Sequence, residues 1–429
     1  MPYVLGIDIG GTTTSAAVSR LSSAGWAAPE VVRLGVRSAA VPSVLHVSGD
    51  GALTVGDPDQ LDAGRVARGF IRRVGDDVPL IVGGEPCTPQ ALVAVLAMWV
   101  VERVLAHEGE PAEQVVISHP ASWGAYRREL LHQALWDIGL ATVTLLPEPV
   151  AAAESHAARG WGGGTLGVFS LGGTEFEASV VRWADPVGFR LLGSASAVEP
   201  FGGADIDEAL VGHVRSRLDK QMRHLYASAP HARAALFGLR RECQRVKEDL
   251  TAALETDVIL TASHGQVRVP VNRADLEELI RPALRVSVDT LVRVVRTCGL
   301  RPSELDGVLL VGGAARMPLV AELVRAALPG PVSVEPEPQT TAAAGAALAA
   351  VQIVAPPAVR SHGPVWTSQA TWTSQLPVVA SPNPEPAPHV EQDDTGAGPP
   401  PRPPVKITPL KLPRMRSAQR LFGLVGGHP

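Results

Sequence analysis

One pattern occurs twice in this chain: a strand, a turn rich in glycine and threonine, and a second strand. The first copy predicts strands over Tyr3–Ile9 and Ser15–Ser19, and the second predicts strands over Leu166–Leu171 and Glu177–Trp183. The first strand of each copy is a short apolar run that ends at a glycine pair, which is typical of a strand buried on both faces of a sheet. The repeat therefore predicts an α/β protein with two related lobes.

Further strands and amphipathic helices complete the two predicted lobes. Apolar spacing and apolar runs predict helices over Gln90–His107, Arg127–Gly139, Ile206–Leu225, Ala232–Ala253 and Arg273–Thr297, and strands over Gln114–Ser118, Thr142–Leu146 and Gly307–Val311. We therefore expect a first lobe over residues 1–165 and a second lobe over residues 166–354.

Glycine-rich turns follow three of the predicted strands. They read DIGGTTT from Asp8, SLGGT from Ser170 and GGAAR from Gly312. Glycines let backbone amides approach phosphate oxygens, and threonine hydroxyls add donors. Asp8, at a strand end, is suited to hold a hydrated Mg²⁺ through its water shell. One such turn is more often only a turn, but three in one chain favour nucleotide binding. The candidate phosphate-binding residues of the first two turns are Gly10, Gly11, Thr12, Thr13, Gly172 and Gly173.

The composition indicates the cellular compartment of the protein and the classes of partner that it can bind. The formal net charge is −5, which gives no electrostatic reason to expect nucleic acid as a partner. The three cysteines are scattered, which fits a reducing compartment better than a disulfide framework. The N-terminus lacks the pattern of a signal peptide, and no apolar run is long enough for a transmembrane segment. We therefore expect a cytoplasmic protein.

The composition changes near Val354. Residues 355–429 hold 16 of the 38 prolines and show little apolar periodicity, which predicts a disordered tail. Past Asp394 the charged residues of the tail are all basic. The simpler interpretation is a solvated linker end. The alternative is that the basic end contacts a protein partner with an acidic surface, or an anionic membrane.

Eleven segments of the chain form an ordered series of motifs. They are GIDIGGTTTS, VPSVLHV, FIRRVGDD, VVISHPASWGAYRRELL, LLPEPVAAAESHA, VFSLGGTEFEASVV, FGGADIDEAL, RRECQRVKEDLT, VNRADLEELI, VLLVGGAARMPLV and TTAAAGAALAA. Their order resembles that of the nucleotide-binding domain of the heat shock protein 70 (Hsp70) family, over most of the chain. The resemblance implies a two-lobed actin-like ATPase fold, built from duplicated ribonuclease H-like domains, that closes on ATP or ADP with Mg²⁺.

The resemblance also implies roles for residues on the adenosine side of the nucleotide. Gly312 and Gly313 would lie beside the adenosine, and the guanidinium of Arg316 would stack on the adenine. Lys247 and Thr251, one helical turn apart, would contact the ribose and the base. These five residues complete the set of candidate nucleotide-binding residues.

Two acidic residues match catalytic positions of the family, and a third position departs from it. Glu148 corresponds to the acid near the attacking water and the magnesium, and Asp8 to the acid that faces the metal. The alternative for Glu148 is a carboxylate at a helix start, stabilised by the helix dipole. Ile71 stands at the position of the family's catalytic lysine. Arg72 or Arg73 would take that position only if the local alignment with the family motif shifts.

The second phosphate loop departs further from the family pattern. Ser170 stands where the family has an aspartate that faces the metal, Glu175 where it has a catalytic threonine, and Glu177 where it has a second aspartate. Gln244 replaces a glutamate that contacts ribose, which is a milder change. Because phosphoryl transfer depends on positioning and charge stabilisation, these changes predict slow hydrolysis, while the binding groups remain.

The sequence favours a chaperone-like nucleotide switch with weak or absent ATP hydrolysis. No segment after Val354 reads as the peptide-binding domain or the linker of the family, so we expect no client binding by the usual route. A sugar-type kinase of the actin-like superfamily is the enzymatic alternative, because GIDIGGTTT also resembles the opening of bacterial glucokinases. An actin-like filament former is the structural alternative. The segments ISHPASW and RRECQRVKEDLT favour the chaperone branch.

Overall fold

The structure is a computed structural model of the chain. One unit spans residues 1–370, and a second unit, 371–429, lies outside the described residues. The predicted proline-rich tail lies outside them too, apart from Ala355. The described residues are 1–36, 38–48, 53–56, 63–162, 164–184, 188–196, 201–218, 231–262 and 265–355.

Nineteen strands and eight α-helices are found among the described residues. The strands are β1 (Tyr3–Ile9), β2 (Thr13–Ser22), β3 (Gly25–Trp26), β4 (Glu30–Val31), β5 (Val41–Pro42), β6 (Leu45–Val47), β7 (Leu53–Val55), β8 (Val66–Ala67), β9 (Leu80–Val82), β10 (Glu85–Cys87), β11 (Gln114–His119), β12 (Val143–Pro147), β13 (Thr165–Leu171), β14 (Phe176–Ala184), β15 (Gly188–Ser196), β16 (Glu255–Ala262), β17 (Gly265–Asn272), β18 (Gly307–Val311) and β19 (Val332–Val334). The helices are α1 (Pro89–Glu108), α2 (Ala125–Asp137), α3 (Glu148–Ala157), α4 (Gly203–Arg217), α5 (His231–Asp249), α6 (Arg273–Thr297), α7 (Pro318–Ala327) and α8 (Thr341–Val354). Short 3₁₀ helices cover Ala63–Arg65, Ile71–Arg73, Pro302–Glu304 and Gly313–Arg316.

Two sheets of the same build form the centre of the protein. The first has the strand order β12–β11–β1–β2–β3, with β4 and β5 also paired to β2, and the second has the order β15–β14–β13–β18–β19. In the first sheet β1 pairs parallel with β11 and antiparallel with β2. In the second sheet β13 pairs parallel with β18 and antiparallel with β14. The predicted duplication is therefore visible as two equivalent sheets, which agrees with the expected actin-like ATPase fold.

The sequence pattern explains why the central strands form where they do. In both β1 and β13 six of seven residues are buried, because helices cover both faces of each sheet. The apolar runs therefore identify the central strands well. The bounds predicted for β1, α6 and β18 match the structure at both ends, and the second strand of the first copy is longer than predicted, over Thr13–Ser22.

Two alanine-rich helices cross between the lobes. Helix α3 follows β12 of the first sheet but also contacts β13, β14 and β15 of the second, and α8 follows β19 but packs on β1, β2 and β11. The two helices also contact one another closely. A Cβ atom at Gly345 in α8 would overlap with the backbone carbonyl of Ala151 in α3, so a side chain there would force the helices apart. Small residues thus set the distance between the inner helices.

Each lobe also has its own apolar core. One cluster includes Phe70, Leu96 and Ile117 of the first lobe, and another includes Phe169, Leu210 and Leu291 of the second. Helix α1 is, within the described part of the chain, the one helix long and apolar enough to cross a bilayer. Its residues Leu92 and Val100, however, are buried in the core of the first lobe, which accounts for its apolar composition.

Candidate functional site

The turns at the ends of β1 and β13 have the same hydrogen-bond geometry. The backbone N–H of Gly10 donates to the carbonyl oxygen of Thr13, and the N–H of Gly172 donates to that of Glu175, both at 2.9 Å. Each is therefore a four-residue hydrogen-bonded turn, over residues 10–13 in the first lobe and 172–175 in the second. Thr13 and Glu175 occupy equivalent positions, so the two turns differ in chemistry at this point: one carries a hydroxyl and the other a carboxylate.

The tips of these two turns contact one another across the lobes. A Cβ atom at Gly11 would overlap with the hydroxyl of Thr174, and a Cβ atom at Gly173 would overlap with the side chain of Thr12. Glycine is thus required at the second position of each turn by the close approach of the opposite threonine. This contact brings the two sets of backbone amides together around one space.

The third glycine-rich turn begins at the end of β18. Gly312 has a φ of 87°, and a Cβ atom there would also overlap with the carbonyl of Leu171 at the end of β13. A side chain is excluded both by the backbone conformation and by the neighbouring strand. The chain then forms the 3₁₀ helix Gly313–Arg316. The third turn therefore lies directly beside the second one.

The three turns open onto one cavity between the lobes. Its volume is about 870 Å³, which is within the usual range for a small-molecule site. Every residue that the sequence nominated for the site lines this cavity: Asp8, Gly10, Gly11, Thr12, Thr13, Glu148, Gly172, Gly173, Lys247, Thr251, Gly312, Gly313 and Arg316. The functional roles assigned to these residues stay predictions.

Asp8 lies on the floor of the cavity near the end of β1. The hydroxyl of Ser118, on the neighbouring strand β11, donates a hydrogen bond of 2.5 Å to its carboxylate. Burial raises the pKa of Asp8 to about 6, and the hydrogen bond from Ser118 opposes this rise. The strand registers make Ser170 of β13 the equivalent of Asp8, since each stands two residues before its glycine turn.

Glu148 is the first residue of α3 and lines the same cavity as Asp8. Burial, together with the negative charges of Asp8 and Glu177, raises its pKa to about 8. The hydroxyl of Ser170 donates a 3.0 Å hydrogen bond to Glu148, which opposes the rise. The position at a helix start agrees with the alternative of a helix-start carboxylate, while burial and the neighbouring acids account for the raised pKa. Acids with such pKa values are typical of sites that bind cations or transfer protons.

Two more carboxylates line the cavity from the second lobe. Glu177 accepts hydrogen bonds from the backbone N–H groups of Ala121 (2.9 Å) and Ser122 (2.7 Å), in the loop after β11. Glu175 forms an ion pair with Arg72, with 2.9 Å between the guanidinium Nε and a carboxylate oxygen. Burial raises the pKa of Glu175, and Arg72 opposes the rise. Both acids therefore bind groups of the first lobe.

The negative charge that Glu175 adds to the second turn is not isolated in the structure. The charge is paired with Arg72, which follows the position expected for the catalytic lysine. Ile71 itself is only 4% exposed and packs in the core of the first lobe. Arg73 faces away and pairs with Asp76 at 3.2 Å. Of the two arginines considered as substitutes for a lysine, Arg72 is the one that the structure places against the second phosphate turn.

The adenosine side of the predicted site carries the second group of polar residues. The ammonium group of Lys247 pairs with Asp207 at 2.9 Å and donates to the carbonyl oxygen of Gly203 at 3.0 Å. The hydroxyl of Thr251 donates to the carbonyl oxygen of Lys247 at 3.4 Å, just past the end of α5. Arg316 is exposed, and no ion pair of its guanidinium is found among the described residues. It is therefore available to a ligand.

The donor set suits a magnesium nucleotide better than a metal bound by the protein alone. Asp8 and Glu148 are carboxylates whose pKa values are raised partly by burial, so a bound cation would relieve the cost of their negative charge. Oxygen donors are also the ligands that Mg²⁺ prefers, and Mg²⁺ usually keeps water and phosphate ligands. Among the residues described, no group of three or more His, Cys, Asp or Glu side chains is arranged to hold a metal ion directly.

Sequence reasoning missed several residues of the cavity. Ser118, which donates a hydrogen bond to Asp8, lies near the end of the apolar strand β11. A polar residue at such a strand end could have indicated that it belongs to the site. Asp207, which binds Lys247, lies within a matched motif but was not singled out. Arg72 was considered only as a substitute for a lysine, because no local pattern indicates that its partner is Glu175. Contacts between distant segments do not leave a local signal.

Comparison with known proteins agrees with the fold. A family model described as "Hsp70 protein" matches residues 71–360. The chain is 28% identical to the chaperone protein DnaK of Thermoplasma acidophilum over 359 residues, 81% of this chain and 58% of that protein. It is 29% identical to the chaperone protein DnaK of Elusimicrobium minutum over 335 residues, 76% of this chain and 53% of that protein.

A third relative is a chaperone protein named HscA homolog rather than DnaK. The chain is 30% identical to the chaperone protein HscA homolog of Acidithiobacillus ferrooxidans over 376 residues, 82% of this chain and 58% of that protein. The chain thus spans a little over half the length of the curated relatives that it matches. The family model covers well over half of the chain, including β11 and β12 of the first sheet and all five strands of the second. The chain therefore belongs to the Hsp70 family.

Proposed function

We propose that the protein is a chaperone-type nucleotide switch that binds ATP or ADP with Mg²⁺ in the cavity between its lobes and hydrolyses ATP slowly or not at all. The observation that carries the proposal is the convergence of three glycine-rich turns, from the ends of β1, β13 and β18, on one cavity. Backbone amides in such turns bind phosphate oxygens without a charged side chain. The similarity to proteins named DnaK and HscA homolog supports the chaperone class.

Different residues along the cavity are suited to bind the phosphates, the Mg²⁺ ion, the ribose and the adenine. The threonines of the first turn supply hydroxyl donors for the phosphates, and Asp8 and Glu148 supply negative charge for Mg²⁺. Lys247 and Arg316 supply donors for the ribose and a planar group for the adenine. Bound Mg²⁺ would neutralise part of the phosphate charge. The protein's own contribution is to orient the nucleotide between the two turns.

Slow hydrolysis follows from the groups that stand at the equivalent of the reacting centre. Ser170 offers a hydroxyl bound to Glu148 where an aspartate would add a negative charge for magnesium. Ile71 is an apolar residue of the first lobe's core, so it supplies no cation to a phosphoryl group. The carboxylate of Glu175 has no proton to donate to a phosphate oxygen. These changes affect catalysis more than binding, because backbone amides provide much of the phosphate site.

Two further properties are part of the proposal. We propose that the protein works in the cytoplasm, which the free thiols of Cys87, Cys243 and Cys298 support. We also propose that any protein partner is contacted through the basic end of the tail. Charge reversal at Arg414, Arg416 and Arg420 should weaken such a contact and leave nucleotide binding unchanged.

Isothermal titration calorimetry of the full chain with ADP and Mg²⁺ tests the binding function. The test variant is Gly313→Val, because Gly313 lines the cavity and its Cβ would come within 3.3 Å of the amide of Gln339. The matched control is Gly124→Val, because a Cβ atom there meets no atom within 4 Å and Gly124 has an extended backbone. We expect the control to bind ADP like the wild type and Gly313→Val to lose at least about tenfold in affinity. No heat of binding with the wild type, at saturating ADP and ATP, would refute the proposal.

A further inference from the structure

The equivalence of the two phosphate turns bears on which nucleotide the cavity prefers. Thr13 and Glu175 occupy the same turn position in the two lobes, as their hydrogen bonds to Gly10 and Gly172 show. The hydroxyl of Thr13 can donate to a phosphate oxygen. The ionised carboxylate of Glu175 can only accept, and it carries a negative charge. The second turn is therefore chemically unsuited to an additional phosphoryl group.

One cation beside this position, Arg72, is already engaged. Arg72 is held by Glu175 at 2.9 Å, in an ion pair that joins the two lobes. The side chains are 36% and 39% exposed; Glu175 lines the cavity, and Arg72 lies beside the cavity through this ion pair. A terminal phosphoryl group that binds Arg72 must share the guanidinium with Glu175 or displace the carboxylate. In both cases the phosphoryl group lies close to another anion.

The acidic residues around Glu175 also disfavour a further phosphoryl group. The charges of Asp8, Glu175 and Glu177 all act on Glu148, which shows that the four carboxylates cluster at one end of the cavity. The ammonium group of Lys247 does not offset them, because it is paired with Asp207 in α4. Each further negative charge on a ligand that reaches this end meets electrostatic repulsion.

We propose that the Glu175–Arg72 pair makes the cavity selective for a nucleoside diphosphate over the corresponding triphosphate. The inference rests on the nucleotide-binding function proposed above. Glu175 is a specificity-determining residue in this view: it occupies Arg72 and excludes the third phosphoryl group. ADP avoids the penalty because it lacks that group, and it retains the first turn, the third turn and the adenosine contacts.

Calorimetric titration of the full chain with Mg²⁺·ADP and with the Mg²⁺ complex of the β,γ-imido analogue of ATP tests this selectivity without hydrolysis. We expect the wild type to bind ADP about tenfold or more tightly than the triphosphate. Glu175→Gln keeps the shape of the side chain and removes its charge, so it should tighten triphosphate binding at least about fivefold and change ADP affinity less than about twofold. Arg72→Gln should act in the opposite direction and weaken triphosphate binding further.

The control is Asp76→Asn, which neutralises the acid of the neighbouring ion pair with Arg73, away from the cavity. It should leave both affinities unchanged. Higher salt should reduce the wild-type selectivity, because partly exposed charges are screened. Equal wild-type affinity for the two nucleotides, or a Glu175→Gln variant with unchanged selectivity, would overturn this inference alone. If the wild type binds neither nucleotide, the nucleotide-binding function itself is refuted.

Discussion

The hydroxyl of Ser170, at the end of β13, donates a 3.0 Å hydrogen bond to the carboxylate of Glu148, at the start of α3. In the first lobe the equivalent position to Ser170 is Asp8, which instead accepts a hydrogen bond from Ser118. The two lobes thus place an acid and an alcohol at the same point of their sheets. The cavity floor has one strand-end carboxylate rather than two, which reduces its charge and its capacity to orient a metal ion.

The first prediction concerns pH. The pKa of Glu148 is raised to about 8, above its usual value, so the folded protein holds this proton more tightly than the unfolded chain does. The contribution to stability is fully present below the unfolded-state pKa and is lost as the pH rises through about 8. Without nucleotide, the wild type should therefore lose stability between pH 6 and pH 8.5.

Chemical denaturation of wild type and Glu148→Gln at both pH values measures this effect. The variant should lose less stability over the interval, because glutamine does not titrate. Glu154, whose pKa burial raises to about 7, is present in both proteins, so its contribution cancels in the comparison. Identical pH profiles for the two proteins would show that Glu148 is not the titrating group.

The second prediction concerns catalysis. Single-turnover assays should show ATP hydrolysis in the wild type far slower than is usual for an enzyme of this fold. Ile71→Lys, Glu175→Thr and Ser170→Asp should each restore little activity alone, and the triple variant should exceed the sum of the single changes, because groups that act on one transition state are not additive. Removal of one charge-stabilising group typically costs about 10²–10³ in kcat. Fast hydrolysis by the wild type would contradict the prediction and assign the catalytic role to Arg72.

The third prediction concerns the crossing of α3 and α8. Gly345→Ala should destabilise the protein by about 3 kcal/mol or more, because its Cβ would overlap with the backbone of Ala151 and neither helix backbone can move freely. Gly212→Ala in α4 is the matched control, since a Cβ atom there meets nothing within 4 Å. It should stabilise the protein by up to about 1 kcal/mol, because alanine favours a helix over glycine. Urea unfolding distinguishes the two outcomes by their sign.

The fourth prediction concerns the tail. A chain ending at Ala355, just after α8, should unfold at the same temperature as the full chain and bind ADP with the same affinity. The reason is compositional, because a segment so rich in proline and poor in apolar periodicity has little to contribute to a packed core. Thermal unfolding and calorimetry on both chains provide the test. Aggregation of the shorter chain, or a tenfold loss of affinity, would contradict it.

The central strands and the glycine turns could be predicted because their signals are local. Strand β1 and helix α6 are marked by apolar patterns with clear ends, and the three turns by glycine pairs at strand ends. The short helix α3 and the edge strand β15 were not predicted. Helix α3 is rich in alanine and buried on almost every side, so it has little amphipathic pattern. Strand β15 follows β14 closely, and its residues are mostly only partly buried.

The composition of the candidate cavity could be predicted, but its internal pairing could not. The Hsp70 motifs nominated residues that all line one cavity, since motif positions and strand ends are visible in the chain. The pairing of Arg72 with Glu175 joins residues that are 103 positions apart and belong to different lobes. Because of that pairing, the second turn carries an ion pair between the lobes rather than an unpaired negative charge. Only a three-dimensional structure supplies such information.

The exchange of α3 and α8 between the two sheets has a mechanical consequence. The inner helix of each half packs on the sheet of the opposite half. Separation of the two halves would therefore expose the apolar sheet face that this helix covers. We therefore expect any opening of the cleft to pivot near the close contact of the two helices at Ala151 and Gly345.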